Sequence, residues 1–546
     1  MRARVPLALA LAVLAAPVGA CAGQFDAQLT KAADWAFTKE GLYNPGMKLW
    51  ESPWKRYYGL DWGGWYSGTV NALRTVIPLA TYGYLQDHEI VWGQDDKGNP
   101  VKINPKREWE SIKSQVIAWV ILQKDVDNGW GFSWYSAGRR HEGSSVGETA
   151  KVVGQVLLPA LIDLGMEKVR WRGYELDVRK AIADGVEFLL KNQITEEDVR
   201  AKKLNEAFVG GWPVKKVEAL EPDPYYTAVA LSALCRVVQY WDYVRPDAYH
   251  PELTKRRVLE AIRRGVEYLL RTQEKQGDVA GAWKSWTGYA MGDWYAYGVV
   301  QFCLNALLDA YAIADELGLD KGRLAEAIKR AFNYLFGERT VKPEQLREKY
   351  AQRAGFTTEI KVPNCGWIDV NGVKVPVWAW GACNLWKVEN GRLKGPYPDL
   401  TETPEIYLAI LKATRLGVAV DTLKRALKAK NPNLPEDRII DEVLKAYARW
   451  VAGQQLQTGG WPYRPGGKRP SQWAWTYCTW LLLAMDHPEW LLKHRPKVGK
   501  VGPTTKTTTK TGQETKREKS AKGRPKVPVT AVSLAALAVL PALRRR

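Results

Sequence analysis

The stretch VEFLLKNQ at residues 186–193 is followed by VGGWPV at 209–214 and then by the apolar run YYTAVALSALCRVVQYW at 225–241. In this last run small and apolar residues recur at three-residue steps, as at Ala228 and Leu231, which is the spacing of one buried helix face. The stretch therefore predicts a helix that ends near a Gln, a loop with Gly-Gly-Trp, and a second, more apolar helix.

The same order of elements recurs along the chain. Most units have a first helix with a Gln near its end, a loop with Gly-Trp, and an apolar second helix. The first helices are predicted at 27–37, 117–123, 186–193, 266–273, 323–336 and 448–455, and the second helices at 65–85, 148–165, 225–241, 295–318, 404–417 and 473–485. No segment alternates between polar and apolar residues for long enough to build a sheet.

Repeated units that cannot bury their own apolar faces must stack on one another. We therefore predict an all-α fold, a single (α/α)6 toroid of about six helical hairpins, over residues 24–496. The second helices would form the inner layer of this ring and the first helices its outer layer. An excursion rich in Trp and Gly, at about residues 337–398, interrupts the pattern.

The Gln…Gly-Trp units resemble the repeat of squalene and oxidosqualene cyclases and, more loosely, that of protein prenyltransferase β-subunits. The resemblance covers most of residues 27–485, as short motifs. It implies an (α/α)6 toroid in which the repeated Gln ties a helix end and the Trp packs against the neighbouring turn. The residues to which it gives this structural role are Gln123, Gln193, Gln273, Trp130, Trp212, Trp283 and Trp461.

The chain departs from this family at the motif that initiates cyclisation. Squalene-cyclase-type enzymes carry Asp-x-Asp-Asp followed by Thr-Ala, whereas here Thr227 and Ala228 follow Asp223, a proline and two tyrosines. A phenol with a pKa of about 10 cannot protonate an alkene or epoxide as a carboxylic acid can. The resemblance therefore implies the fold and not the reaction, and a divergent terpenoid cyclase with Asp223 or Glu148 as its acid is a third hypothesis behind the two given below.

In a toroid all second helices start at the same end, so the residues at these starts converge on one mouth of a central cavity. The predicted catalytic residues are Asp223, Glu148 and Tyr225, the predicted ligand-binding residues are Tyr226, Asp293, Trp294, Trp134, Trp473 and Trp475, and Glu402 and Glu405 are further acids at such starts. The competing interpretation of each acid is a helix cap, worth about 0.5–2 kcal/mol. Asp223 lies between two prolines, where it either caps its helix or faces the cavity.

The two ends of the chain indicate export and anchoring. Arg2 and Arg4 precede an apolar run and small residues, so residues 1–22 are predicted to be a signal peptide. Residues 497–526 are a Thr/Lys-rich stalk, and residues 527–546 are a short apolar segment with three terminal arginines. That segment is either a membrane anchor or a C-terminal sorting signal. Much of the net charge of +20 belongs to these ends, so it does not indicate a nucleic-acid partner.

Carboxylates beside flat aromatic rings, outside a cell, suit carbohydrate, because paired carboxylates hydrolyse glycosidic bonds. We therefore predict a surface-anchored extracellular protein that binds or cleaves polysaccharide at the mouth formed by the inner-helix starts. The alternative is a non-enzymatic toroid that binds a lipid or isoprenoid or serves as a scaffold in the cell envelope.

Three smaller predictions complete the sequence analysis. No cofactor is expected, and no Cys/His spacing indicates a zinc site. Cys365 and Cys383 flank a loop-like segment and are either a disulfide or two thiols. The many charged residues, with only 5 Met and 5 His, are typical of a thermophilic protein.

Overall fold

The structure is a computed structural model that describes the chain between residues 23 and 492, with gaps. The described residues are 23–52, 64–131, 134–136, 139–141, 143–216, 220–285, 294–345, 358–370, 373–379, 387–389, 392–394 and 399–492. They all belong to one compact unit, Met1–Lys500. The predicted signal peptide and the anchor or sorting signal lie outside the described residues, as does the stalk.

Helices make up most of the described chain, which confirms the predicted all-α class. They are α1 (Asp26–Ala36), α2 (Gly64–Thr81), α3 (Pro105–Leu122), α4 (Val146–Lys151), α5 (Leu158–Ile162), α6 (Val178–Lys191), α7 (Glu196–Lys202), α8 (Pro224–Gln239), α9 (Trp241–Val244), α10 (Lys255–Thr272), α11 (Tyr297–Ala312), α12 (Ala314–Leu317), α13 (Lys321–Phe336), α14 (Glu402–Leu416), α15 (Val420–Lys430), α16 (Ile439–Gly453), α17 (Gln472–Asp486) and α18 (Glu489–Leu492). A π-helical segment, Val152–Leu157, joins α4 to α5. None of the helices described is both long and apolar enough to cross a membrane.

Strands occur in the described residues only as two-stranded antiparallel sheets. The pairs are β1 (Tyr43–Asn44) with β2 (Leu49–Trp50), β3 (Ile90–Gln94) with β4 (Pro100–Ile103), β5 (Trp134–Ser136) with β6 (Arg139–His141), β7 (Lys168–Trp171) with β8 (Tyr174–Asp177), β9 (Glu338–Val341) with β10 (Ile360–Pro363), β11 (Gly366–Val370) with β12 (Val373–Ala379), and β13 (Lys387–Glu389) with β14 (Arg392–Lys394). The last three pairs occupy the predicted excursion, where the sequence has no helical periodicity.

The two kinds of helix differ in how they are buried. A first helix such as α10 has one apolar stripe and a charged outer face, whereas a second helix such as α17 is buried along nearly its whole length. Several helices begin after a polar residue whose side chain accepts a hydrogen bond from the first turn. These capping residues include Asn104, Ser145, Asp177, Asp223, Thr254, Asp320 and Ser471.

The second helices contact one another in chain order. The segment α4–α5 with its π-helical turn packs on α8, α8 packs on α11, α11 on α14, and α14 on α17. Helix α17 then packs on α2, and α2 on the π-helical turn, so the succession of contacts returns to its start. First helices pack against these second helices: α10 packs on α8, and α13 packs on α11.

The Trp of each Gly-Trp loop is structural, as predicted. The indole Nε1 of Trp212 donates a hydrogen bond of 2.7 Å to the carbonyl oxygen of Leu189, at the end of the preceding first helix. Trp130, Trp283 and Trp461 make the equivalent bonds, and all are buried. The loop is thereby held against the helix that precedes it.

The repeated Gln joins neighbouring hairpins. Gln193 Nε2 donates both to the carbonyl oxygen of Gly210 in its own loop and to that of Ala261 in the next first helix, at 2.9 and 2.8 Å. Gln273 does the same with Gly281 and Ala327. Gln455 donates to Gln28 at 2.9 Å, which ties α16 to α1 and so the last hairpin to the first.

Gln123 differs from this pattern, because its side chain is exposed. The next residue, Lys124, makes the link instead and forms an ion pair with Asp184 on α6. The neighbouring first helix here offers a buried carboxylate, which attracts a cation more strongly than a neutral amide.

The glycine two residues before the Trp of the loop is required by close packing, as Gly210 and Gly281 show. Gly210 and Gly281 have φ angles of 88° and 99°, a region that side chains disfavour. A Cβ at Gly281 would lie 2.0 Å from the carbonyl oxygen of Arg330, and one at Gly210 would lie 2.1 Å from that of Arg264. Only glycine lets the loop lie against the next first helix.

Candidate functional site

A cavity of about 110 Å³ lies among the second helices. Its wall is unusually polar for the centre of a helical protein. The polar residues that line it are Arg74, Lys151, Gln155, Asp163, Ser232, Arg236, Asn305, Asp309, Glu405 and Lys412, and Phe302, Trp480 and Trp490 are the aromatic ones. These residues come from α2, α4, α8, α11, α14 and α17, with neighbouring short elements, so the cavity is shared by all the hairpins.

Two carboxylates meet at the start of α14. The amide Nε2 of Gln301, on α11, donates hydrogen bonds to Glu402 Oε2 at 3.1 Å and to Glu405 Oε2. Since both oxygens bind one nitrogen, they lie within about 6 Å of each other. Glu402 and Glu405 are three residues apart on one helix face, and Asp399 fixes the start of this helix by accepting from the backbone of Glu402 at 2.8 Å.

Glu405 holds its proton more tightly than an ordinary carboxyl group. Burial raises the pKa of Glu405 from 4.5 to about 8, although the charges of Arg74 and Lys151 and the hydrogen bond from Gln301 act in the opposite direction. This residue is 7% exposed and lies on the cavity wall. At neutral pH it is therefore a protonated acid beside a second carboxyl group, which is the arrangement of a general acid with a partner.

Arg74 is the most deeply buried cation of the wall, at 4% exposure. Its Nη1 donates to Asn71 Oδ1 at 3.2 Å, and its guanidinium carbon lies 4.8 Å from the ring centre of Trp480. Its Nε has no hydrogen-bond partner in the described structure. The aromatic face stabilises the positive charge without using its donors.

The other three cations on the wall have polar partners. Lys412 pairs with Asp309 at 2.6 Å, and Arg236 Nη1 donates to the carbonyl oxygen of Gly154 at 3.1 Å. Lys151 pairs with Glu148 at 2.6 Å.

The predicted catalytic residue Asp223 has the geometry of a helix cap. Its Oδ1 accepts from the backbone N–H of Tyr225 at 2.8 Å, and its Oδ2 accepts from the Ser285 hydroxyl at 2.8 Å. The residues that line the described cavity do not include it. Of the two roles that the sequence leaves open for Asp223, these contacts are those of the cap.

The other predicted catalytic residues lie one contact away from the cavity. Glu148 reaches it through Lys151, and Tyr225 packs edge-on against Phe302, with ring centres 4.9 Å apart. Tyr226 packs in turn on Tyr225 at 5.1 Å. The first turns of α4 and α8 are thus used for capping and packing, whereas Glu405, in the first turn of α14, lines the cavity.

The remaining predicted ligand-binding residues are dispersed. Trp475 is buried and donates to the carbonyl oxygen of Ala32 at 3.0 Å, so it holds α17 to α1. Trp473 and Trp294 are partly exposed, and Trp294 has the ammonium group of Lys284 at 5.9 Å from its ring centre. Trp134 belongs to β5, and Asp293 lies outside the described residues.

The sequence analysis did not single out Arg74, Lys151, Arg236, Asp309, Lys412 or Gln301. A signal for them exists in the sequence. Each is a polar residue within a mostly apolar second helix, and a helix buried on all sides can place a charge only against a cavity or a partner.

One group of side chains away from the cavity has the composition of a metal site. The ligand atoms of Glu187, His250 and Glu252 lie within 4.8 Å of one another. Two of these residues have other partners, since Glu187 pairs with Lys191 at 2.6 Å and His250 Nε2 lies 2.7 Å from Asp184. The group is therefore explained as an ion-pair network between hairpins.

The cysteines described are thiols. Cys235, Cys303, Cys365 and Cys478 are all buried, and burial raises the pKa of the Cys365 thiol to about 12. Of the two predicted alternatives for Cys365, the structure has the thiol, and Cys383 lies outside the described residues.

No protein-family model matches the chain, and no curated protein matches it in sequence.

Proposed function

We propose that the hairpins close into a single (α/α)6 toroid with the cavity on its axis. The support is the cyclic succession of contacts among the second helices, completed by α17 on α2. The hydrogen bond from Gln455 to Gln28 joins the outer helices of the last and first hairpins in the same way that Gln193 joins two successive ones.

We propose further that the protein hydrolyses glycosidic bonds at this cavity. The observation that carries the proposal is the carboxyl pair Glu402 and Glu405, whose oxygens share Gln301 Nε2. Retaining glycosidases hold their two carboxyl groups about 5–5.5 Å apart, and the separation of less than about 6 Å here fits that class.

In this mechanism Glu405 is the general acid. Its raised pKa keeps it protonated near neutral pH, so it can donate its proton to the leaving glycosidic oxygen. Glu402 is the second carboxylate, which attacks the anomeric carbon, and Glu405 then activates the water that releases the sugar. Gln301 sets the spacing between the two groups, which in this mechanism flank the scissile bond.

The size of the cavity indicates which part of a polysaccharide would enter. About 110 Å³ gives room for several waters or one small ligand, and not for a chain that crosses the molecule. Glu405 lines the cavity, whereas Glu402 adjoins it through Gln301 and is not one of its lining residues. The terminal sugar unit would therefore occupy the cavity, and the bond to the next unit would lie at Glu405, on the side of Glu402. The protein would then remove units from a chain end.

The charges on the wall favour this proposal over the alternative of a lipid- or isoprenoid-binding toroid. An apolar ligand would leave the buried Arg74, whose Nε has no acceptor among the described residues, without water or an anion to satisfy it, which is costly. A scaffold would likewise give no role to two acids that share one amide.

The proposed place of action is the extracellular surface. Its support is the predicted signal peptide at 1–22 and the predicted stalk and anchor or sorting signal at 497–546. An exported protein would meet polysaccharide directly.

The proposal is tested with the purified full-length protein and a panel of neutral and acidic polysaccharides. Released reducing ends would measure hydrolysis, and an ultraviolet-absorbing unsaturated product would reveal a lyase instead. We expect hydrolysis by the wild type, a loss of about a hundredfold or more in Glu405→Gln and Glu402→Gln, and no change in Glu197→Gln, which removes an exposed carboxylate on α7. Absence of hydrolysis of every glycan in the panel would refute the proposal.

A further inference from the structure

Arg74 is a cation that the proposed hydrolysis does not use. It stands in the middle of α2, in the apolar run NALRTVIP, and it is 4% exposed on the cavity wall. A buried guanidinium is costly unless an anion or several acceptors satisfy it. The guanidinium of Arg74 therefore needs an anion or several hydrogen-bond acceptors to stabilise it.

The described residues satisfy Arg74 only in part. Asn71 accepts one of its five N–H bonds, and Trp480 and Tyr477 present their rings to its charge, at 4.8 and 5.8 Å. Its Nε has no acceptor among the residues that the structure describes, and no carboxylate among them forms an ion pair with it. The rings hold the planar group in place and leave donors for something else.

The rest of the wall does not neutralise this charge. Lys412 and Lys151 are each paired with a carboxylate of their own, Asp309 and Glu148. Glu405 lies close enough for its titration to be affected by Arg74, yet burial keeps that carboxyl group largely protonated at neutral pH. Asp163 is a further carboxylate of the wall, but it forms no ion pair with Arg74 in the described structure, so the positive charge at Arg74 has no ion-pair partner there.

A second unsatisfied group lines the same cavity. Gln155, on the π-helical turn, has a buried Oε1 that lacks a hydrogen-bond partner within the described part of the chain. An acceptor beside a cavity is suited to a hydroxyl group of the ligand. Arg74 and Gln155 would therefore both be satisfied by a ligand that carries an anionic group and hydroxyl groups.

We propose that Arg74 binds an anionic substituent, a carboxylate or a sulfate ester, on the terminal sugar unit, so that the substrate is an acidic saccharide. The planar fork of its N–H donors matches the two oxygens of such a group. This inference rests on the proposed function, because it names the substrate class of the same cavity. It also gives the site its specificity: a neutral sugar would leave the guanidinium unsatisfied.

The test compares matched ligands on the full-length protein by calorimetric titration. Glucuronic acid and glucose 6-sulfate carry the two forms of the anionic group, and glucose is the neutral control. We expect at least one acidic sugar to bind about tenfold or more tightly than glucose, with the preference reduced by added salt. Arg74→Met, which keeps the apolar stem over Trp480, should abolish the preference, whereas Arg323→Met on the outer face of α13 should keep it.

The outcomes separate this inference from the proposed function. Equal binding of glucose and both acidic sugars by the wild type would overturn the inference, whatever happens to the variants. So would an undiminished preference in Arg74→Met. Hydrolysis of neutral polysaccharides alone would also overturn it and leave the proposed function standing. Binding of an acidic sugar that depends on Arg74, without hydrolysis of any polysaccharide of the panel, would support it and refute the proposed hydrolysis.

Discussion

Replacing Glu405 by Gln is expected to change how the stability of the protein depends on pH. Burial raises the pKa of Glu405 to about 8 in the folded protein, from 4.5 as the ordinary value. Below about pH 4.5 both the folded and the unfolded chain hold the proton. As the pH rises from there to about 8, only the folded chain still holds the proton, so the free energy of unfolding falls as the pH rises. The wild type should therefore lose stability over this window.

The size of the loss follows from the two pKa values. The interval from 4.5 to about 8 corresponds to about 5 kcal/mol if all of it appears in the free energy of unfolding. We expect about 3 kcal/mol, because solvent in the cavity and the nearby charge of Arg74 relax around the ionised group. The neutral side chain of Gln has nearly the same shape, and its oxygen can still accept from Gln301.

The assay is urea unfolding at pH 5 and at pH 8, for the wild type and for Glu405→Gln. All other groups titrate in both proteins, so the difference between the two pH dependences isolates Glu405. The variant should be more stable than the wild type at pH 8 by about 3 kcal/mol and similar to it at pH 5. An exposed control, Glu197→Gln, should follow the wild type. Equal pH dependences of wild type and Glu405→Gln would refute the buried, protonated carboxyl group.

Three further predictions concern the scaffold. Gly281→Ala should cost about 3 kcal/mol of unfolding free energy, because it adds a clash with Arg330 to an unfavourable φ. Gly277→Ala in the same loop, with a φ of 73° and open space around it, should cost about 1 kcal/mol. Equal losses of stability in urea unfolding would contradict the close-packing argument. Asp223→Ala should lower stability by about 1–2 kcal/mol and leave hydrolysis unchanged, as a cap predicts, and a loss of turnover at unchanged melting temperature would restore its catalytic role. Gln455→Ala should lower the melting temperature and increase amide hydrogen exchange at the ends of α1 and α16, and unchanged exchange there would argue against closure of the ring through this residue.

The helical units were predictable because their signals are local and repeated. The period of the apolar residues marks each helix, and Gly-Trp marks each turn. The structural role of Trp212 was implied by the resemblance of its motif to the cyclase repeat, in which the Trp packs against the neighbouring turn. Gln123 shows the limit of this reasoning: the same residue type is exposed there because Lys124 finds a carboxylate, Asp184, that only the folded neighbour supplies.

The site was less predictable because it depends on which helix faces which. Placing the acids at the helix starts was reasonable, but the first turn also needs acceptors for its own N–H groups, and Asp223 serves that need. Glu405 was among the acids predicted at the helix starts, and its spacing from Glu402 places both on one helix face. That Gln301, from another hairpin, binds both carboxyl groups could not be read from the sequence. Arg74 shows a charge in an apolar helix, but only the packing identifies the cavity beside it.

The spacing of the carboxyl pair Glu402 and Glu405 predicts the anomeric configuration of the sugar that hydrolysis releases. Proton NMR during hydrolysis of a polysaccharide cleaved by the full-length protein would identify the anomer of the sugar that is released first. The separation of less than about 6 Å between the two carboxyl oxygens predicts that the released sugar keeps the configuration of the bond that was cut. An inverted first product, or no product from any polysaccharide, would contradict the account.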